Sequence, residues 1–252
     1  MKHIFVIILL SLLLFCGAGP ASARPDFTCL DVLDVPALEC QALVDLYTST
    51  NGPGWLRKEN WLVTPTVDDW SGVTVSGGHV TGLSLEENLL SGSLPASLGD
   101  LSELIVLSLR NNQLNGSLPP ELGSLSHLTY LSLRVNDLTG SLPPALGDLT
   151  GLTSLDLYRN RLTGSIPPEL GSLSKLIDLD LSSNALSGSI PPELGNLTAL
   201  HILDLGMNQL TGGIPPALGK LTTLTHLSLG DNPLRGGIPT TLGSLTNLTH
   251  LW

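Results

Sequence analysis

From Val80 to Asn247 the chain repeats one 24-residue unit seven times, without an insertion or a deletion. The fifth unit shows the skeleton: Leu176, Leu179, Leu181, Asn184, Leu186, Gly188, Ile190, Pro191, Leu194, Gly195 and Leu197. A fixed period of this length dictates a solenoid, because one unit cannot bury its own apolar face and must stack on a neighbour. The units start at Val80, Leu104, Leu128, Leu152, Leu176, Leu200 and Leu224, and are called rungs one to seven below.

Each column of the repeat has a physical reading. The opening L-x-x-L-x-L alternates inward and outward side chains, as a short strand does. Stacked copies then form a parallel sheet on the concave side. The column Asn88, Asn112, Asn136, Asn160, Asn184, Asn208, Asn232 falls where the chain leaves the strand. An amide that both donates and accepts is expected to satisfy backbone groups of its own rung and the next. Gly92 and its counterparts permit a tight bend. One proline per rung, Pro95 to Pro239, fixes φ. The last glycine of each unit, such as Gly171, is expected to end a short helical turn.

The ends of the chain read differently. Residues 1–23 form an export leader: Lys2 and His3, an apolar run from Ile4 to Phe15 broken by Ser11, and Ala21-Ser22-Ala23 as a cleavage site. The run is too short for a membrane span, which needs about 20 residues. A lipoprotein reading through Cys16 is disfavoured by the bulky Phe15. Cleavage near Ala23 leaves Cys29 and Cys40, whose even count in an oxidising compartment fits one disulfide; two free buried thiols are the alternative. Residues 24–79 do not fit the repeat. Pro36 to Thr48 has helical apolar spacing, Asn51-Gly52-Pro53-Gly54 is a turn, and Trp55, Trp61 and Trp70 follow. We read this segment as a lid over the open end of the solenoid, with an aromatic carbohydrate site as the rival. Residues 248–252 open an eighth copy and stop mid-strand, which suggests a truncated chain.

The unit resembles the plant-type leucine-rich repeat, whose signature includes N-x-L-x-G-x-I-P. Ala42-Leu-Val-Asp-Leu-Tyr47, Asn60-Trp61 and Trp70-Ser-Gly-Val-Thr74 resemble the cap that precedes such repeats. The resemblance implies an α/β solenoid, a right-handed superhelix with its parallel sheet on the concave face and a helical N-terminal cap. It also implies roles such as receptor ectodomain or inhibitor of cell-wall-degrading enzymes. One departure stands out: such caps usually carry a cysteine pair around W-x-G-V, where this chain has Asp69 and Val75.

Seven copies also serve as an internal alignment. Columns that vary are those that stacking leaves unconstrained. Three strand columns vary, and Arg110, Tyr130, Arg134, Tyr158 and Arg159 cluster within them on rungs two to four, with Asp178 on rung five. Arg and Tyr are hot-spot residue types, and guanidinium forks suit an anionic partner. The rival reading is that Arg134 and Arg159 offset neighbouring aspartates. Asp156, Asp180 and Asp204 form a row that is expected to be a solvated structural ladder, since three side chains in one line make no oxygen cage for calcium. The candidate binding face therefore comprises Arg110, Tyr130, Arg134, Asp156, Tyr158, Arg159, Asp178 and Asp180.

No metal, cofactor or catalytic motif is expected: His226 and His250, one period apart, lack a third ligand. A net charge of −11 without a basic stripe argues against nucleic acid. Asn115, Asn196 and Asn247 head glycosylation sequons. The leading expectation is a secreted, non-catalytic module that binds a protein, peptide or glycan on its concave face. Two alternatives stand beside it: an ectodomain fragment of a receptor-like kinase or receptor-like protein, and an ice- or surface-binding protein using the hydroxyl row Ser93, Ser117, Ser141, Ser165, Ser189.

Overall fold

The computed structural model describes residues 27–252. The leader expected over 1–23 lies outside the described residues. Among these, no helix is long and apolar enough to cross a membrane.

A nine-stranded sheet runs the length of the molecule. It opens with an antiparallel pair, β1 (Val73–Ser76) and β2 (His79–Ser84). Seven parallel strands follow, from Val106–Ser108 to His250–Leu251, one on each of rungs two to seven and one on the partial eighth copy, all in 24-residue register. The leucines turn inward and fill the space behind this sheet. In rung two, Leu104, Leu107, Leu109, Leu114, Leu122 and Leu125 are fully buried. Each such side chain contributes roughly 1.5–3 kcal/mol of burial, and none could bury itself without the rung beside it.

A second set of short strands follows the Asn column, including Thr163–Ser165, Ala185–Ser189 and Gln209–Thr211. Here Ser165 pairs with Ser187 and Ser189 with Thr211, an offset of 22 residues rather than 24. The hydroxyl row read from the sequence is therefore staggered, with Ser141 bridged to Thr163 rather than to Ser165. Gly164 makes its bend at φ 76°, a left-handed conformation that glycine adopts without strain.

The asparagine ladder runs backwards relative to expectation. Asn160 Nδ2 donates to its own Leu157 carbonyl at 3.2 Å and to Leu133 of the preceding rung at 3.0 Å. Its Oδ1 accepts from the preceding rung's Leu138 N–H at 3.1 Å. Each Asn thus serves the rung before it, because the side chain leans back across the turn it caps. Gly171 also differs from expectation. It lies inside the 3₁₀ turn Pro168–Ser172, with no left-handed φ. A Cβ there would sit 2.5 Å from the Glu193 carbonyl of the next rung, so close stacking requires the glycine.

The N-terminal segment carries helix α1 (Ala37–Ser49), with Pro36 at its N-cap. Trp55, Trp61 and Trp70 are almost fully buried beside Tyr47. Their indoles donate to the Thr50, Ser71 and Thr64 carbonyls. Buried indoles cannot stack on a sugar, which removes the carbohydrate reading of this cluster. Cys29 and Cys40 form a disulfide that ties the chain start to α1. Where a second bridge is missing, the Asp68 carboxylate accepts the Val75 N–H at 3.0 Å. Buried Glu39 fastens α1 to β2, accepting the Val80 N–H at 2.7 Å and meeting His79 Nδ1 at 2.6 Å. That hydrogen bond raises the His79 pKa above its ordinary value. The segment also continues the ladder: Asn88 Nδ2 donates to the Arg57 carbonyl at 2.9 Å, as later Asn residues do to leucine carbonyls.

Candidate ligand-binding face

The outward side of the long sheet is built from short strands, so each rung presents few side chains. Register aligns Val106, Tyr130, Ser154, Asp178, Ile202 and His226 in one row. A parallel row holds Ser108, Ser132, Asp156, Asp180, Asp204 and Ser228. Just past the strands come Arg110, Arg134, Tyr158, Ser182, Gly206 and Gly230.

Arg134, Asp156 and Tyr158 are brought into direct contact. The Arg134 guanidinium lies 5.3 Å over the Tyr158 ring and 3.8 Å from Asp156 Oδ2. Arg134 is therefore engaged inside the protein, as the rival reading of its charge held. Arg110 and Arg159 are exposed and make no ion pair among the described residues. Arg159 stands apart from the others. Its whole column adopts the left-handed conformation, from Glu87 at φ 51° through Val135 at 54° to Asp231 at 53°. The column is thus the turn off the strand, and Arg159 lines a separate shallow cavity with Asn112, Val135, Asn136 and Asp137. Tyr130 shares its row with Asp178, with Ser154 between them.

The aspartate row is structural, as expected, but only partly solvated. The Asp156 side chain is only 14% exposed. Burial raises its pKa, opposed by the Tyr158 N–H and by Arg134. Burial likewise raises that of Asp180, whose Oδ1 accepts the Ser182 N–H at 2.9 Å and the Ser182 hydroxyl at 2.5 Å. Asp204 Oδ1 accepts the Gly206 N–H at 2.9 Å in the same way. Asp178 is pushed up to about 6 by burial first, then by Asp180, Asp156 and Asp204. Its Oδ1 and the Arg134 Nε are buried without a hydrogen-bond partner. Among the described residues no group of three or more His, Cys, Asp and Glu could hold a metal ion. His226 and His250 stack face to face at 4.2 Å.

Sequence reasoning missed a trough on this face. Beyond Tyr158 the row shrinks to Ser182, Gly206 and Gly230, leaving a cavity of about 210 Å³ walled by Tyr158, Met207 and Trp252. The signal was present as a run of ever smaller residues in one column, but its depth depends on how far Ser182 and Gly206 sink, and both are buried.

Leucine-rich-repeat profiles match residues 150–210 and, as single repeats, 103–125, 127–149 and 223–245. The chain belongs to the plant-type leucine-rich-repeat family. It is similar to the protein in the PEPR1–AtPEP1 crystal structure, at 32% identity and a TM-score of 0.79 over 85% of this chain and 31% of that one. The ectodomain of the Arabidopsis receptor kinase HAESA, solved with an extended IDA peptide hormone, gives 35% identity and 0.71 over 83% of this chain and 36% of that one. The chain therefore spans about a third of the length of each of these two proteins. A plant ice-binding protein gives 25% identity and 0.60 over 87% of this chain and 79% of that one. No curated relative matches the chain.

Proposed function

We propose that this leucine-rich-repeat chain is an extracellular, non-catalytic recognition module that holds a peptide along the outward face of the long sheet. The trough over Gly206 and Gly230 carries the reading. A peptide backbone can approach closely where side chains recede, meeting the hydroxyls of Ser182 and Ser228 on the floor and apolar walls at Tyr158, Met207 and Trp252. The likeness to a HAESA ectodomain solved with a peptide hormone supports it. The disulfide supports an oxidising, extracellular setting. Such a module serves a soluble binder or a receptor ectodomain equally well. The test is a random linear peptide library selected on the secreted chain. Gly230→Trp should empty the selection, since a Cβ at Gly230 meets its nearest atom at an ordinary 3.6 Å and the indole fills the trough. Equal recovery on both proteins removes the reading.

A second reading, an ice-binding surface, is favoured by one observation. The chain covers most of a plant ice-binding protein, and the second set of strands exposes Ser117, Thr139, Ser141, Thr163, Ser165 and Ser189. Their hydroxyls make no hydrogen bond within the described protein, unlike those of Thr153, Thr225 and Thr249, which donate to the preceding rung. Thermal hysteresis that is abolished by Thr163→Lys would establish it, and its absence at millimolar protein would dismiss it.

A further inference from the structure

We propose that the ligand is a charge-polar peptide seated in one direction only, with a basic side chain over Asp180 and Asp204 and an acidic group at Arg110. The inference rests on the peptide reading above and goes beyond it by naming the ligand's chemistry. Along the outward rows rungs two to four and rungs five to seven differ in sign, while rung one carries Glu86 and Glu87. Rungs two to four present Arg110, Arg134 and Arg159 against one acid, Asp156. Rungs five to seven present Asp178, Asp180, Asp204 and Asp231, and no lysine or arginine occupies these rows there.

The geometry decides which of these charges are open to a ligand. Arg134 is engaged by Asp156 and Tyr158, whereas Arg110 is exposed and unpaired among the described residues. Asp180 and Asp204 are each held at Oδ1 by an N–H two residues on, which fixes the carboxylate and leaves Oδ2 without a protein partner among the described residues. An ammonium or guanidinium donor meets such a free carboxylate oxygen in a charge-assisted hydrogen bond. The trough adjoins Asp204, so an apolar side chain beside the basic one reaches the walls at Met207 and Trp252. Arg110 and Asp204 stand four rungs apart, roughly 19 Å at the strand spacing of about 4.8 Å. An extended peptide covers that distance in about six residues.

The experiment takes the peptides selected on the secreted chain and measures the affinity of synthetic copies by fluorescence anisotropy. Selected sequences are expected to carry an acidic and a basic residue about six positions apart in one constant order. Asp180→Asn and Asp204→Asn keep an Oδ1 acceptor for Ser182 and Gly206 while removing the charge, and matching circular-dichroism melts will show that the fold is retained. Together they should weaken binding at least tenfold, and selection repeated on that variant should drop the basic residue but keep the acidic one. Arg110→Ala should do the converse. Peptides that are lost with Gly230→Trp yet show no ordered charge pair, or that keep their affinity within twofold on the Asn variants, overturn this inference and leave the peptide reading standing. Failure to select any peptide sensitive to Gly230→Trp overturns both.

Discussion

Each rung has two polar edges, and they are built on opposite rules. Along the Asn column the amides of rungs three to six meet backbone groups on both sides: Asn136, Asn160, Asn184 and Asn208 all accept from the rung before and donate to carbonyls of both rungs. Along the outward rows of the long sheet, Arg134 Nε and Asp178 Oδ1 are left without partners, and Asp178 is held near pH 6. The first edge stabilises the stack; the second carries groups that the stack does not satisfy.

The contrast is open to direct attack by substitution. Asn160→Leu should have the largest effect. It strands the Leu138 N–H and halves the donors on the Leu133 and Leu157 carbonyls, which keep Asn136 and Asn184, so at about 1–3 kcal/mol for the unpaired buried group the loss should be roughly 2–3 kcal/mol. Urea unfolding monitored by circular dichroism will read it. A loss under about 1 kcal/mol would mean that the ladder is decoration.

Asp178→Asn should act in the opposite direction. The folded carboxyl keeps its proton to about pH 6, against an ordinary value of 3.8. The native state therefore binds more protons than the unfolded chain between these values, and stability falls as pH rises through that window. The amide should stabilise the protein by about 1–2 kcal/mol at pH 7.5 and by nothing below the lower value. Melting both proteins at each pH will show whether the gap opens. Asp180, Asp156 and Asp204 face the same carboxyl, so a gap that persists at low pH would point to packing instead.

Val135→Asn is a smaller test. Val135 holds a left-handed φ of 54°, which a β-branched residue tolerates poorly, and asparagine should gain about 1 kcal/mol. Arg110→Ala comes last: an exposed, unpaired side chain should leave stability within about 0.5 kcal/mol, so that any loss of peptide binding belongs to recognition alone.

Periodicity made the scaffold readable before any coordinates. Leu, Asn, Gly and Pro recur because stacking admits little else, and the internal alignment of seven rungs exposed the variable columns. What it could not convey was depth and direction. Ser182 and Gly206 sink while Arg110 and Arg159 stand proud, although all four occupy freely varying columns. Arg134 reaches across to the next rung's tyrosine, a choice of rotamer that no column records. Gly171 looked like a helix stop and proved to be a contact with Glu193, since a glycine required for space and one required for φ are identical on paper. The offset of the second strands was equally hidden, because the period alone does not say which residue lies beside which.

The backward reach of the asparagines has a consequence for synthesis. A turn emerging from the ribosome carries an open N–H until the amide 22 residues later has been translated and folds back onto it. Maturation is therefore vectorial, each length of nascent chain sealing the one made before it.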